Sequence, residues 1–218
     1  MLKFYTPDRK GKQEPYSYRS RARLVGKCIE NIGQALNNDM VVLGRIHTEK
    51  DVESLRNNNI RYIHDICDNK WPMLEKLWAN TNEYATAITT TCYRLKDLIE
   101  SKVNKEVFVI PDPTEREEEP IKFEPNPTRL NAVYYGSAGN LKQIDWSQYD
   151  LSNVNLKIIS NEGPIFWDYK TQGEIVRQSD IVLLPVNNDH EMTQYKGNNR
   201  PVDALRQGRF VITNFFFF

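Results

Sequence analysis

Short apolar runs alternate with helical patterns along this chain of 218 residues, and this order constrains the fold more than any other feature. In the first half, strands are predicted at KFY (3–5), MVVLG (40–44), IRYIHDI (60–66), TAITT (86–90) and EVFVI (106–110). Helices are predicted over 24–36, 71–85 and 92–102, the last with Thr91 as its N-terminal cap. Nearly continuous apolar strands separated by helices indicate βαβ units, in which a parallel sheet is buried on both faces.

A proline-rich stretch interrupts this alternation. Five of the eleven prolines lie between Pro111 and Pro127, together with an acidic run from Glu115 to Glu119. Proline lacks a backbone donor and disfavours helix in the residue before it, so this stretch is predicted to be an extended, solvated connector.

After the connector, the same alternation begins again. Strands are predicted over 132–136, 155–160, 180–185 and 209–213, and helices over 140–149, 167–179 and 201–207. The predicted fold is therefore α/β, with a Rossmann-like domain at 1–112, a linker at 113–128 and a second Rossmann-like domain at 129–218. We expect the two parallel sheets to face a cleft, with ligands at the carboxyl ends of their strands.

The composition excludes several classes of protein. Twenty-nine basic and 29 acidic residues give a formal net charge of zero, which argues against a nucleic-acid coat or a polybasic membrane binder. No apolar stretch approaches the roughly 20 residues of a membrane-spanning helix, and no signal peptide is predicted at the first residues, which lack an apolar run. The three cysteines form no CxxC pair, so neither a disulfide framework nor a zinc site is expected. We expect a cytoplasmic protein.

The first candidate site is a glycine turn that follows a predicted strand, in the sequence YGSAGNL (135–141). Gly136, Ser137 and Asn140 lie where backbone N–H groups and the positive end of a helix are available to a phosphate. The structural alternative is an ordinary tight turn between strand and helix.

The second candidate site precedes and begins a short helix. Pro201 suits the first turn of that helix, and Gly208 suits its C-terminal stop. Lys196 and Arg200 lie just before it, an arrangement that suits a diphosphate. Asp203 is placed in the first turn, where its carboxylate is a candidate acceptor for ribose hydroxyls. The alternatives are a solvated basic loop and a surface aspartate that matches the helix dipole.

The third candidate site lies at the end of the third predicted strand, in HDICDNKW (64–71). Asp65 is a candidate general base or polar substrate contact, with His64 and Asp68 beside it. The nearest other histidine in the sequence is His47, so no second histidine is expected nearby and no metal site is predicted. The structural alternative is that Asp68 or Asn69 caps the following helix.

The fourth candidate is the basic N-terminal segment SYRSRAR (17–23). Arg19 and Arg23 lie one helical turn apart, and three lysines flank them, at positions 10, 12 and 27. Such a segment is suited to an anionic acceptor or to the phosphate of a donor. The alternative is a solvated helix face.

Taken together, these motifs resemble nucleotide-sugar glycosyltransferases of the GT-B type, and specifically the retaining family with a Glu-x7-Glu pattern. The segments that carry the resemblance are YGSAGNLK, SDIVLLPV and KGNNRPVDALRQGRFVIT. The resemblance implies transfer of a sugar, with retention, from a nucleotide-diphosphate sugar to a carbohydrate or other hydroxyl acceptor. It implies no cofactor besides the donor substrate.

The resemblance also implies roles for individual residues. The donor-binding residues are Gly136, Ser137, Asn140, Lys196, Asn199, Arg200 and Asp203. Asp203 takes the place of the family's second glutamate, and Tyr195 stands where the first would be. Asp65 is the candidate catalytic residue, and His64, Asp68 and Arg19 are assigned to the acceptor side.

The chain departs from the family in the length of its second half. About 90 residues follow the linker, and they end in four consecutive phenylalanines. We therefore expect an incomplete second domain with an exposed sheet edge, which a partner chain or an oligomer would cover. This leaves an alternative function, a non-catalytic module that binds a nucleotide, a sugar or another protein.

Overall fold

The structure is a computed structural model that describes residues 2–4, 40–44, 47–114, 119–125, 128–187 and 191–214. The predicted helix over 24–36, the basic segment with Arg19, and the final phenylalanines lie outside these residues. The chain divides into two compact units, built from Met1–Glu115 with Gln194–Asn198 and from Arg116–Thr193 with Asn199–Phe217.

The first unit is a parallel sheet with helices between its strands. Its strands are β1 (Leu2–Phe4), β2 (Met40–Leu43), β3 (Arg61–Ile66), β4 (Ala87–Thr90) and β5 (Val107–Val109). Its described helices are α1 (Glu49–Asn57), α2 (Trp71–Tyr84) and α3 (Tyr93–Glu100). The strands lie in the order β1-β2-β3-β4-β5, and every pairing in the described residues is parallel. The five predicted strands are therefore confirmed, with ends that differ by a residue or two.

The helices of this unit differ from the prediction in two respects. The helix α1 was not predicted, because only Val52 and Leu55 supply it with apolar side chains. The local signal for this helix is a capping box at its start, in which Thr48 Oγ1 accepts from Asp51 N and Thr48 N donates to the Asp51 carboxylate. The prediction that Thr91 caps α3 is wrong, because the buried Thr91 hydroxyl donates to the carbonyl of Cys67.

The second unit is also a parallel sheet, but its strand order differs. Its strands are β6 (Leu130–Tyr135), β7 (Val154–Ser160), β8 (Ile165–Phe166), β9 (Ile181–Leu183) and β10 (Phe210–Ile212). Its described helices are α4 (Ala138–Leu141), α5 (Tyr169–Gln178) and α6 (Asn199–Arg206). The order is β10-β9-β6-β7-β8, and all described pairings are parallel. The two parallel sheets confirm the predicted α/β fold class, and the two-residue β8 is a strand that was not predicted.

The helix predicted over 140–149 is not continuous. The α-helix ends after Leu141, and a separate 3₁₀ turn covers Trp146–Gln148. Asp145 begins this turn, since its Oδ1 accepts hydrogen bonds from both the backbone N and the hydroxyl of Ser147. A short polar side chain that bonds the nearby backbone competes with helix continuation.

The described part of the connector is attached to the second unit. Residues 119–125 contain neither helix nor strand and are mostly exposed. The buried Arg209 nevertheless donates a hydrogen bond to the carbonyl of Ile121. The rings of Phe123 and Phe210 also meet edge to face, with centroids 5.0 Å apart. This stretch is therefore better described as an extended strap on the second unit than as a free linker.

Gly208 ends α6 as predicted, with φ of +73°. Gly208→Ala is expected to lower the free energy of unfolding by about 1–2 kcal/mol, because this backbone conformation is unfavourable for a residue with a Cβ. The added Cβ would also lie 3.0 Å from Pro120 Cβ. Chemical denaturation measures the loss. Gly139→Ala is the matched control, since the nearest atom to its Cβ would be 4.0 Å away and the conformation is an ordinary helical one. Equal stabilities for the two variants would contradict this account.

No helix within the described ranges combines the length and apolar composition needed to cross a membrane.

Candidate functional site

The strand order of the second unit identifies one edge of its sheet as the best place for a ligand. From β6 the chain adds β7 and β8 on one side, and then β9 and β10 on the other. Parallel α/β sheets bind ligands at the carboxyl ends of the strands where the order reverses in this way. Here that point lies between β6 and β9, and Gly136 directly follows β6. The described strands of the first unit contain no such reversal.

Arg200, in the first turn of α6, is held at the carboxyl end of β6 by two hydrogen bonds with Tyr135. The Tyr135 hydroxyl donates to the backbone carbonyl of Arg200 at 2.7 Å. In return, Arg200 Nη1 donates to the backbone carbonyl of Tyr135 at 3.2 Å. Arg200 is half-buried, and these two hydrogen bonds fix its position.

Gly136 is required at this point because two side chains occupy the space of a Cβ. A Cβ at this position would lie 2.6 Å from the Tyr134 hydroxyl oxygen and 3.1 Å from Arg200 Nη1. The structure thus brings together two of the predicted donor-binding residues, Gly136 and Arg200. It adds Tyr134, which the sequence analysis did not single out.

The helix start after Gly136 offers fewer free N–H groups than predicted. Ser137 caps α4, with Oγ accepting from the backbone N of Asn140 at 3.3 Å. The backbone N of Ala138 donates to Asn161 Oδ1 at 2.8 Å. These two N–H groups are therefore occupied by side chains. Because α4 has only four residues, it also contributes little dipole.

Asn161 is a site residue that the sequence analysis missed. It lies just after β7, the strand that pairs with β6, and it holds the first N–H of α4. Its position directly after a predicted strand was the available signal, since polar residues at strand ends point towards the ligand edge of a parallel sheet.

The predicted position of Asp203 in the first turn is wrong. The helix begins at Asn199, two residues before Pro201, so Asp203 lies in the second turn. Its side chain is only 3% exposed. Asn199 itself is at the helix start, where its Oδ1 accepts from the backbone N of Arg200 at 2.8 Å. Ribose contact by Asp203 stays a prediction, and this burial does not favour it.

Lys196 lies in the segment 194–198, which belongs to the first unit. Within that unit, the Cys92 thiol meets the carbonyl of Tyr195 at 3.8 Å. A Cβ on Gly197 would lie 2.5 Å from Asp112 Oδ2. The side chain of Lys196 is partly exposed.

Asp65 is a buried carboxylate near the end of β3, with 5% of its surface exposed. Its Oδ1 accepts from the Thr89 hydroxyl at 2.6 Å, and its Oδ2 accepts from the Cys67 thiol at 3.5 Å. The general-base role of Asp65 stays a prediction.

His64 is fully buried in the core of the first unit. Its Nδ1 lies 2.6 Å from Asn82 Oδ1, and its ring meets those of His47 and Trp78 at centroid distances of 5.0 and 5.6 Å. The expectation that no second histidine lies nearby is therefore wrong. Burial lowers the pKa of His64 to about 3 and also lowers the pKa of His47. His64 is thus a neutral core side chain with no surface for an acceptor.

Three predicted residues remain, Asn69, Asp68 and Arg19. Asn69 has a structural contact one residue before the N-cap Lys70, since its Oδ1 accepts from the backbone N of Trp71, the first residue of α2, at 3.2 Å. Asp68 is partly buried, and its acceptor-side role stays a prediction. Arg19 lies outside the described residues. Within the described ranges, no group of three or more His, Cys, Asp or Glu side chains is placed to hold a metal ion.

Comparisons with known proteins do not assign this chain to a family. No protein family model matches the chain, and no curated protein sequence matches it. The chain is similar to a solved structure, the Glycosylation Associate Protein (Gap123) complex from Streptococcus agalactiae, with 9% identity and a TM-score of 0.46. The match covers 88% of this chain and 45% of the other, so this chain spans less than half of that one. A similarity at this level says nothing about the activity of this chain.

Proposed function

We propose that this chain is a glycosyltransferase that uses a nucleotide-diphosphate sugar, and that its second unit binds the diphosphate of this donor. The observation that supports the proposal most directly is the meeting of Arg200 Nη1 and Gly136 at the point where the strand order reverses. A fixed cation beside a glycine turn at this edge of a parallel sheet suits an anionic nucleotide.

Arginine suits this role because its planar guanidinium binds two phosphate oxygens at once. Tyr135 engages only one nitrogen of the Arg200 side chain in the described contacts. The remaining N–H groups are therefore proposed to bind the diphosphate. Lys196, four residues earlier in the sequence, is proposed as the second cation.

The proposed reaction breaks the bond between the anomeric carbon of the sugar and a diphosphate oxygen, joins that carbon to the hydroxyl oxygen of an acceptor, and transfers the hydroxyl proton to the departing diphosphate. The cations stabilise the negative charge on the departing diphosphate, so catalysis consists mainly of positioning and charge stabilisation. Asp65 is the proposed polar contact to the acceptor or to the reacting groups. Retention of configuration follows the resemblance in the sequence motifs.

A second candidate is a nucleotide-binding module that does not transfer sugar. Two observations favour it. Asp203 is buried in the second turn of α6, and Tyr195 stands where the resembled family has a glutamate. Both features are expected of a chain that lacks the acidic contacts to the donor sugar but keeps Arg200 for the diphosphate.

The two candidates are separated by incubating the protein with nucleotide sugars of different bases. Thermal shift reports binding, and released nucleoside diphosphate in the presence of hydroxyl acceptors reports transfer. A ligand at 100 times its Kd stabilises the folded protein by about 2.7 kcal/mol, which raises Tm by several degrees. Stabilisation with released diphosphate supports the transferase, and stabilisation alone supports the binding module. If millimolar ligand causes neither stabilisation nor release of diphosphate, both candidate functions are contradicted.

A further inference from the structure

Tyr134 is a buried tyrosine whose hydroxyl has no hydrogen-bond partner among the described residues. It is the penultimate residue of β6, so its side chain lies on the opposite face of the sheet from Tyr135. Its ring packs edge to face on Trp146, with centroids 5.5 Å apart, and this contact holds the ring in place.

The unpaired hydroxyl lies beside the Arg200 side chain. Both groups converge on the space where Gly136 lacks a Cβ, at 2.6 Å for the hydroxyl oxygen and 3.1 Å for Arg200 Nη1. Burial raises the pKa of Tyr134, and the positive charge of Arg200 and the nearness of its side chain as a hydrogen-bond donor oppose this only in part. The hydroxyl is therefore neutral at physiological pH, and its oxygen is available as an acceptor.

An unpaired buried polar atom in a native protein calls for an explanation, and such atoms are found at functional sites. We propose that Tyr134 is a positioning residue that orients the Arg200 guanidinium when a phosphate binds, with its hydroxyl oxygen accepting a hydrogen bond from Nη1. This inference rests on the proposed function, because the phosphate is that of the nucleotide donor.

The hydrogen bond that Arg200 already makes explains why the Tyr134 hydroxyl becomes a second acceptor when a phosphate binds. Arg200 Nη1 donates to the carbonyl of Tyr135 at 3.2 Å, which is at the long end of the range for such bonds. A phosphate bound to the outer edge of the guanidinium, away from Tyr135, would restrict its motion and leave Nη1 on the inner edge beside the strand. A second acceptor on that inner edge then stabilises the bound orientation.

Tyr134→Phe tests the proposal because it removes only the hydroxyl. We expect the Kd for a nucleoside diphosphate, measured by calorimetry, to rise about 5- to 10-fold, the effect of losing one hydrogen bond. The Tm of the ligand-free protein should stay the same or rise by a few degrees, since the hydroxyl has no partner to lose. Loss of a purely structural side chain would not lower the affinity while leaving the stability unchanged or higher.

Tyr62→Phe is the matched control. Tyr62 is equally buried but lies in the first unit, where its hydroxyl donates to the carbonyl of Thr81 at 2.8 Å. This variant should lower Tm and leave the Kd unchanged. In the Arg200→Ala background, Tyr134→Phe should have no further effect on affinity, because Tyr134 acts through Arg200.

The outcomes separate this inference from the proposed function. If the wild-type protein binds no nucleoside diphosphate, both are overturned. If the wild type binds and Arg200→Ala loses affinity, but Tyr134→Phe binds like the wild type, the positioning role alone is overturned. An equal loss of affinity in Tyr62→Phe would also overturn it.

Discussion

Arg200→Ala is expected to weaken the binding of nucleoside diphosphates by about 10- to 150-fold. The reason is the loss of charge-assisted hydrogen bonds to phosphate, which contribute about 1.5–3 kcal/mol. The local backbone should survive the change, because the Tyr135 hydroxyl donates to the main-chain carbonyl of Arg200 rather than to its side chain. The start of α6 therefore stays attached to β6 in the variant.

Calorimetry with a nucleoside diphosphate measures this effect. Arg206→Ala is the matched control, since Arg206 is an exposed arginine at the other end of the same helix and lies 3.8 Å from Glu119. This control removes one positive charge from α6 without touching the strand ends. An unchanged Kd in Arg200→Ala, or equal losses in both variants, would contradict the proposed diphosphate site.

Acidification is expected to destabilise the first unit through its buried histidines. The pKa of His64 is about 3 in the folded state, against an ordinary value of 6.5. The unfolded chain therefore takes up a proton between these values while the folded chain does not. The contribution of His64 to the free energy of unfolding is therefore fully present above pH 6.5 and is lost as the pH drops towards 3. The expected loss from His64 between pH 7 and pH 4 is on the order of 3 kcal/mol, and His47 acts in the same direction.

Denaturant titrations of the wild type and His64→Gln at several pH values test this prediction. The carboxylates titrate in both proteins, so the difference between the two curves isolates the contribution of His64. Glutamine keeps a polar group near Asn82 but does not gain a proton in this range. We expect the variant to be less stable at pH 7 and to lose less stability on acidification. Parallel curves would show that His64 does not resist protonation in the folded state.

The candidate site was predictable in part, and the limit has a physical basis. Gly136 and Arg200 carry local signals, a glycine after an apolar strand and a cation before a short helix. Tyr134 carries no comparable signal, because its role depends on contacts with residues far away in the chain. Asn161 carries only a weak one, its position directly after a predicted strand, and its contact with Ala138 is long-range. The burial of Asp203 was missed for a related reason. Its exposure depends on where the helix begins, and Asn199 starts that helix two residues early.

The histidines of the first unit show the same limit. His47 and His64 are 17 residues apart in the chain, and no periodicity connects them. Their rings meet because β2 and β3 are paired neighbours, in which His64 lies opposite Leu43, the last residue of β2, and His47 follows four residues later. Sequence spacing alone therefore predicted an isolated histidine where the structure contains a pair.

The sequence by itself determined the alternation of strands and helices, the parallel α/β class and the glycine that ends α6. These properties depend on hydrophobic period and backbone preference, which act over a few residues. Only the tertiary structure decided the strand order, and with it the reversal that brings Arg200 to Gly136 in the second sheet. Strand order results from long-range packing, in which each strand must find neighbours that pair its backbone N–H and C=O groups and helices that cover its faces, and local patterns do not specify those partners.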